Sequence, residues 1–500
     1  MKKFCYSFLI LFVGLLVASV THYRTPGART CYLPVKSCPG PDLILNSFSP
    51  PDPDHSGSLT RIAGNHRVHP IHAQRLHYKL KKAALQNKGL SESEAVARLG
   101  PPPFWQGLPT TGDVNTFALL IEFPEYPHIP EDTVTAIEAS LFGDGIGAKP
   151  PSDSLRNFYL RASYNRLNIQ GTVMDWYTTG YPRSEIPETS KGYQDLIKEV
   201  ILFYDQQGHD FSIYDNDGDG EIEYFMVIWS GPPSSSGEFW AGQFMFFFDK
   251  NFTVDGKSLD GFSWQDESGN YPKGHFRPGI CIHETGHGLG LPDFYDYDPS
   301  VGPKGGVGGY DQMDVHGGGH NCFSKYLLDW IEPTIIFEGS HSVTLRSSAL
   351  EGDALLVMPD ATGDTQYYEF FMIQNRFRVA GGNDVHFPGD GLQIWHVDAT
   401  LNEEGTNFEF DNSFTEHKLI RLMEADGLEE IETNAYGGGD EGDYYTSENT
   451  FTMFTTPNSF RYNGERTYLS VWDISATAEV MSLKVKFDIY SFPDPPNSTP

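Results

Sequence analysis

Residues 280–296 read ICIHETGHGLGLPDFYD. His283 and His287 are four residues apart, so on a helix both imidazoles project from one face and can bind the same Zn²⁺ ion. Gly290 accepts the positive φ that a sharp turn after His287 requires. That turn would bring Asp293 round as a third ligand, and three protein ligands plus water are typical of a catalytic zinc site.

Glu284 lies between the two histidines of this motif. A carboxylate there can take a proton from an attacking water and return it to the leaving amine, while zinc acidifies the water and polarises the scissile carbonyl. Gly286 and Gly288 weaken a helix by about 1 kcal/mol each, which fits a helix held by metal and close packing. A chance HExxH followed by GxxD is expected in roughly one chain in ten thousand. The motif therefore predicts a catalytic zinc helix rather than an ordinary core helix.

The motif HETGHGLGLPD resembles the zinc motif of metzincin-type proteases in which aspartate replaces the third histidine, as in the immune inhibitor A family of secreted bacterial metalloproteases. The resemblance extends over residues 110–485 and includes FALLIEFPE (117–125), RNFYLRASYNRLNIQGTVMDWY (156–177), YDNDGDGEIEYFMVIWSG (214–231) and GLQIWHVD (391–398). It implies zinc held by His283, His287 and Asp293, a methionine turn at Met313 beneath the metal, extended polypeptide substrates and secretion as a zymogen.

Several roles stay open in the sequence. Met313 can also be read as an ordinary core methionine. His316 and His320 follow it and could bind metal or steady the transition state, although exposed turn residues are the expectation. Tyr295 and Tyr310 are candidates for stabilising the oxyanion, on their closeness in sequence alone.

A second metal is predicted from DNDGDGEIE, residues 215–223. Carboxylates alternate along it before a bend at Gly220, as at the start of a calcium loop, but Met226 stands where an EF-hand has glutamate. The expected Ca²⁺ residues are Asp215, Asp217, Asp219, Glu221 (through its carbonyl) and Glu223. The alternative is a solvated acidic turn. A further calcium site in the C-terminal part could involve Glu424, Asp426, Asp440 and Asp443.

Composition limits the partners. Lys+Arg number 35 and Asp+Glu 67, a net charge of −32, which argues against nucleic acid and anionic membranes. Residues 4–20 form an apolar run after Lys2 and Lys3, which predicts a signal peptide (1–24) and a secreted, soluble, monomeric protein. An uncleaved membrane anchor is the alternative.

The predicted organisation continues with a pro-segment or linker (25–112) that contains one amphipathic helix and histidines expected on a solvated face (His66, His69, His72 and His77). An α+β or α/β metzincin-like zinc protease domain (113–335), a β-sandwich-like domain (336–490) and a disordered tail (491–500) follow. Four cysteines remain after signal removal, and the suggested disulfides are Cys31–Cys38 and Cys281–Cys322.

The sequence thus predicts a secreted zinc-dependent endopeptidase with Glu284 as general base. Two alternatives belong to other classes. One is a protease-like binding or adhesion protein without turnover, and the other is a zinc hydrolase acting on a non-peptide substrate.

Overall fold

The computed structural model describes residues 67–487 except 146, 188, 235–238, 240–241, 297–305, 315–317, 358–367, 414–415 and 434–437. The predicted signal peptide, the Cys31–Cys38 pair, His66, His316 and the tail all lie outside the described residues. Within the described part of the chain, no helix combines the length and apolar character that crossing a membrane requires.

Two helices precede the first sheet, α1 (Pro70–Asn87) and α2 (Glu92–Leu99). α1 buries Leu76 and Leu80 in the same hydrophobic core as the zinc-motif helix. His72 and His77 are buried as well, so the expected solvated face is wrong for these two residues. Nε2 of each ring hydrogen-bonds a backbone carbonyl, at 2.8 Å from Leu289 for His72 and 2.6 Å from Ala399 for His77. Burial lowers the pKa of His72 to about 3 and that of His77 to about 4, so both are neutral near pH 7.

The first sheet has the strand order β2-β1-β3-β5-β4. Its strands are β1 (Gly112–Glu122), β2 (Leu167–Thr178), β3 (Glu221–Trp229), β4 (Gln243–Phe246) and β5 (Ser258–Asp266). All neighbouring pairs are parallel except β4 with β5, so β4 is an antiparallel edge strand. β1 carries a continuous buried run, which is typical of a strand covered on both faces.

Helices cover both faces of this sheet. They are α3 (Val134–Leu141), α4 (Leu155–Ala162), α5 (Ser190–Gln206) and α6 (Gly279–Gly288), whereas α7 (Cys322–Leu327) packs against α1 and β9. Alternate β1 residues face opposite cores, because side chains on a strand alternate in direction. Leu120 packs in the core shared with α4 and α6, and Leu119 packs in the core shared with α5.

The C-terminal part is β-rich. Its elements are β6 (Thr334–Ile336), β7 (Gly339–Arg346), β8 (Leu355–Val357), β9 (Glu369–Arg376), β10 (Gly391–Asp398), β11 (Ile420–Leu422), α8 (Glu430–Thr433), β12 (Leu469–Trp472) and β13 (Val480–Phe487). They form sheets of order β11-β10-β9-β8-β6 and β12-β13-β7. Phe371 of β9 and Val485 of β13 belong to one core, so the two sheets share apolar contacts. A mixed α/β architecture is confirmed, and the metzincin-like and β-sandwich assignments stay predictions.

Candidate metal centre

The three predicted zinc ligands meet in one buried group. α6 carries His283 and His287 and ends at Gly288. Gly290 has φ +91°, so the chain reverses there and returns with Asp293 facing the helix. Asp293 Oδ1 lies 2.8 Å from His283 Nε2 and 3.3 Å from His287 Nε2. Ligand atoms of all three residues fall within 4.8 Å of one another.

Backbone carbonyls orient both imidazoles. Nδ1 of His283 lies 2.9 Å from the carbonyl of Gln312, and Nδ1 of His287 lies 2.9 Å from that of Leu291. An imidazole whose Nδ1–H donates to a carbonyl presents Nε2 to a metal, the usual arrangement around protein-bound zinc. Two imidazole nitrogens and one carboxylate oxygen therefore face a common point, and this donor set fits Zn²⁺.

Charge coupling within the group agrees with this assignment. Burial alone would raise the pKa of Asp293, but the charge of His287 and the hydrogen bond from His283 hold it well below its usual range. Burial would lower the pKa of His283, but Asp293 raises it to about 9. A divalent cation would displace the proton that these groups share, since metal ligation requires the deprotonated forms.

Glu284 lies on the side of α6 that faces the edge strand. It is buried, and burial raises the pKa of its carboxyl group. A Cβ on Gly242, which directly precedes β4, would lie 3.3 Å from Glu284 Oε1 and 3.0 Å from Ile280. Gly242 also has φ +80°. A glycine at this position therefore leaves room for Glu284, a requirement that sequence reasoning missed.

A cleft of about 310 Å³ opens beside His287. Phe244 and Phe246 of β4 line one side of it, and residues 67–70 with Asn407 contribute to the rest of the lining. The segment before α1 is tied to the zinc motif, because His69 N donates to the carbonyl of Gly290 at 3.0 Å. Residues assigned to the pro-segment thus line the same cleft as a candidate metal ligand.

Met313 lies against α6, and its role as a methionine turn beneath the metal stays a prediction. A Cβ on Gly286 would come within 2.3 Å of the Met313 sulfur, so the glycine in HETGH permits this contact. Gly288 has a similar role, since its Cβ would lie 3.0 Å from the ring of Tyr224. The two helix-weakening glycines thus allow close packing, Gly286 against Met313 and Gly288 against Tyr224, as the sequence indicated.

A buried polar network supports the Met313 turn. Asp311 accepts from the backbone N–H of Met313 at 2.9 Å and from that of Asn321 at 2.7 Å. His320 Nδ1 lies 3.1 Å from Asp311 Oδ1. His320 is fully buried in this network, so the expectation of an exposed turn residue is wrong. An adjacent carbonyl, that of Gln312, orients His283, and no short sequence signal identifies Asp311 or Gln312 in these roles.

α1 and the segment that follows α2 pack against Gly290. A Cβ there would lie 2.6 Å from both His72 and Trp105. The His72 and Trp105 rings stack at a centroid distance of 4.1 Å, and the His72 hydrogen bond to Leu289 adds a polar contact. The N-terminal segment therefore packs directly on the turn that delivers Asp293.

Tyr310 does not act at the metal centre. Its hydroxyl donates to the carbonyl of Asp440 at 2.8 Å and to the carboxylate of Asp443 at 2.9 Å. Both acceptors lie in the C-terminal part of the chain. Tyr295, two residues beyond Asp293 and half-buried, remains a candidate for stabilising the oxyanion on its closeness in sequence alone.

The predicted disulfide between Cys281 and Cys322 is wrong. Both residues are buried free thiols. Cys281 faces β5 and hydrogen-bonds Gln265, whereas Cys322 begins α7 and has Arg376 and Lys325 as its charged neighbours. The two sulfurs therefore pack against different elements, and burial raises the pKa of Cys322 to about 12.

The predicted calcium loop is only partly assembled. Asp215, Asp217 and Glu223 bring carboxylate oxygens within 4.8 Å of one another. Asp219 accepts from the backbone N–H of Glu221, and the Glu221 carboxylate turns to Lys250 at 3.0 Å. The structure therefore leaves the Asp219 carboxylate outside the group, and Glu221, which was expected to bind through its carbonyl, stays a prediction.

Two features of this loop bear on its charge. Burial raises the pKa of Glu223 to about 7. Lys257 pairs with Asp215 at 2.6 Å and supplies one positive charge. Carboxylates around a bend at Gly220, which has φ +101°, are chemically suited to a hard cation.

Comparison with known proteins points to one family. Residues 110–313 match the family model described as "Immune inhibitor A peptidase M6, catalytic domain". The chain is also 24% identical over 238 residues to Immune inhibitor A of Bacillus thuringiensis subsp. alesti, and this alignment covers 37% of the chain. The same alignment covers 34% of that relative's own length, so the chain matches about a third of the relative. The resemblance inferred from the zinc motif is confirmed: residues 110–313 are similar to the catalytic domain of the immune inhibitor A family of M6 peptidases.

Proposed function

We propose that the protein is a secreted zinc endopeptidase with a metzincin-like catalytic domain, a β-sandwich-like C-terminal domain and polypeptide substrates. The observation that carries the proposal is the convergence of His283 Nε2, His287 Nε2 and Asp293 Oδ1, with Glu284 beside them. Sheet order β2-β1-β3-β5-β4, with the metal helix after the last parallel strand, supports the metzincin-like assignment.

Each residue has a defined task in this proposal. Zinc held by His283, His287 and Asp293 would polarise the substrate carbonyl and acidify the attacking water. Glu284 accepts the proton of that water and passes it to the nitrogen of the leaving amine. Its buried position, which raises its pKa, favours the first transfer because a more basic carboxylate accepts the proton of water more readily.

Edge strand β4 supports an extended peptide as substrate. Among the described strands β4 pairs with β5 alone, so its other edge can add a strand by main-chain hydrogen bonding. Phe244 and Phe246 line the cleft and provide apolar surface for substrate side chains.

Latency and calcium belong to the same proposal. Because residues 67–70 line the cleft and His69 bonds to Gly290, we infer that this segment restricts access until it moves or is processed.

A Ca²⁺ ion at Asp215, Asp217 and Glu223 would stabilise the turn that leads into β3. Export and the monomeric state rest on the sequence alone.

The test compares the secreted wild type with Glu284→Gln, using an unfolded protein as substrate and quantifying bound zinc in both. We expect stoichiometric zinc in both samples and a kcat lower by about 10²–10⁴ in the variant, the range for removal of a general base. Zinc in both with no cleavage by either would favour a protease-like binding protein. Hydrolysis of a small ester or glycan while peptide bonds survive would favour a non-peptide zinc hydrolase.

A further inference from the structure

Helix α1 contacts the turn that carries the third candidate metal ligand. Nε2 of His72 donates to the carbonyl of Leu289 at 2.8 Å, and the ring of His72 stacks on Trp105 at a centroid distance of 4.1 Å. A Cβ on Gly290 would lie 2.6 Å from both rings. The two side chains therefore pack directly against the backbone of the turn.

The apolar face of α1 belongs to the hydrophobic core of the zinc-motif helix. Its core residues recur at helical spacing, and each has 2% or less of its surface exposed: Ala73, Leu76, Leu80 and Ala84. They share one core with Ile282 of α6 and with Leu289. Leu108, fully buried, extends this core beyond α2. Residues 70–108, the N-terminal layer, are thus part of the core rather than a cover over a polar surface.

Two cations of α1 neutralise a carboxylate that follows α7. Lys79 Nζ lies 2.5 Å from Asp329 Oδ1 and donates to the carbonyl of Tyr326 at 2.6 Å. Arg75 pairs with the other carboxylate oxygen of Asp329, whose side chain is 25% exposed. Within the described chain, both ion pairs of Asp329 come from α1. Loss of the helix would therefore leave a largely buried charge without a partner, which is destabilising.

α1 also contacts the C-terminal part of the chain. Nε2 of His77 donates to the carbonyl of Ala399 at 2.6 Å, and its ring packs edge-on against Tyr368 at a centroid distance of 4.3 Å. Ala399 directly follows β10, and Tyr368 directly precedes β9. One helix thus contacts the metal turn, the segment around α7 and the larger C-terminal sheet.

We propose that the N-terminal layer is a permanent part of the active enzyme that holds the turn delivering Asp293, and that any pro-peptide released on maturation ends before Pro70. The proposal rests on the proposed peptidase function, since a pro-peptide is expected only of a zymogen. It narrows the predicted pro-segment from residues 25–112 to residues 25–69.

The energetics favour retention of the layer. Its release would expose the apolar core to water and leave Asp329 unpaired. Residues 67–69 line the cleft but lie outside the layer. Their movement or removal can open the cleft while His72 and Trp105 stay on the turn.

The experiment is limited proteolysis of the full-length Glu284→Gln chain with trypsin, followed by size exclusion, zinc quantification and mass spectrometry of the folded peak. Trypsin cleaves after lysine and arginine, and α1 contains four such residues, Arg75, Lys79, Lys81 and Lys82. We expect cleavage after Arg67 or upstream of it, with residues 70–108 kept in the zinc-containing peak, because cutting a helix requires local unfolding.

A zinc-containing folded peak that lacks residues 70–108 would overturn the proposal. The same measurements on the active, secreted wild type should also find these residues, and an active form without them would overturn it too. A folded peak that keeps the layer but binds no zinc would contradict the zinc peptidase function rather than the place of the layer, so the two failures are distinguishable.

Asp329→Asn tests the ion pairs that hold the layer, and Asp473→Asn is the matched control. Both aspartates have a positive φ, which asparagine also adopts, and each pairs with a lysine, Lys79 for Asp329 and Lys484 for Asp473. We expect Asp329→Asn to raise the rate of tryptic cutting inside α1 at least about fivefold, because proteolysis follows the population of the locally open state. Asp473→Asn should leave that rate within about twofold. Equal rates in the two variants, with circular dichroism showing both folded, would overturn the anchoring of the layer through Asp329.

Discussion

Gly290→Ala tests whether the N-terminal segment fixes the turn that delivers Asp293. Gly290 has φ +91°, and an added Cβ would lie 2.6 Å from both His72 and Trp105. The backbone strain of alanine at positive φ is about 1–2 kcal/mol. Forcing a methyl group into a packed site adds about 1–3 kcal/mol. We therefore expect the variant to lose about 2–5 kcal/mol of unfolding free energy.

The matched control is Gly464→Ala. Gly464 has φ +84°, but a Cβ added there would have no atom within 4 Å, so this variant reports the strain without the steric contact. The unfolding free energy of both variants is measured in urea, each in a Glu284→Gln background. We expect Gly290→Ala to lose about 1–3 kcal/mol more than Gly464→Ala, the amount due to the steric contact alone. Bound zinc should fall in Gly290→Ala and stay constant in Gly464→Ala. Equal destabilisation with zinc retained in both would refute the role assigned to His72 and Trp105.

Two further perturbations follow from buried carboxylates. Burial and the charge of Asp132 raise the pKa of Glu267 to about 8 from 4.5. A raised carboxyl pKa contributes stability at low pH that is lost as pH rises through the folded value, at about 1.4 kcal/mol per pKa unit. Glu267→Gln should therefore raise Tm at pH 9 and change it little at pH 4, and parallel Tm curves would contradict this. In the calcium loop, Asp217→Asn should remove the rise in Tm that Ca²⁺ produces, whereas Asp219→Asn should keep it. Of these two residues, only Asp217 belongs to the carboxylate group that it forms with Asp215 and Glu223. Thermal melts with and without Ca²⁺ decide this, and equal losses would mean that Asp219 is also a ligand.

Much of the candidate site could be predicted because its signals are local. The spacing of His283 and His287 follows from the helical period, and the φ of Gly290 follows from the turn needed to return Asp293. The buried run of β1 and the alternation along β13 were equally readable. The carboxylates of Asp215 and Asp217 also come together, as their spacing suggested, while a calcium ion there stays a prediction.

Predictions failed where they depended on which distant segments meet in the folded chain. His72 and His320 read as exposed polar residues, yet each is buried against a partner more than eight positions away. Cys281 and Cys322 flank the zinc motif in sequence, yet they remain free thiols. Composition and spacing carry no information on such contacts, because any polar side chain can be buried once a distant group satisfies it.

The sequence by itself determined the candidate metal-binding group of this protein: two imidazoles one helical turn apart, a neighbouring carboxylate and a glycine turn leading to Asp293. Only the tertiary structure decided what holds that chemistry in place. Gln312 orients His283, Met313 fills the space at Gly286, and the N-terminal segment closes over Gly290. The physical reason is that helical spacing and turn conformation are set by neighbouring residues, whereas close packing depends on segments far apart in the chain that meet only when it folds.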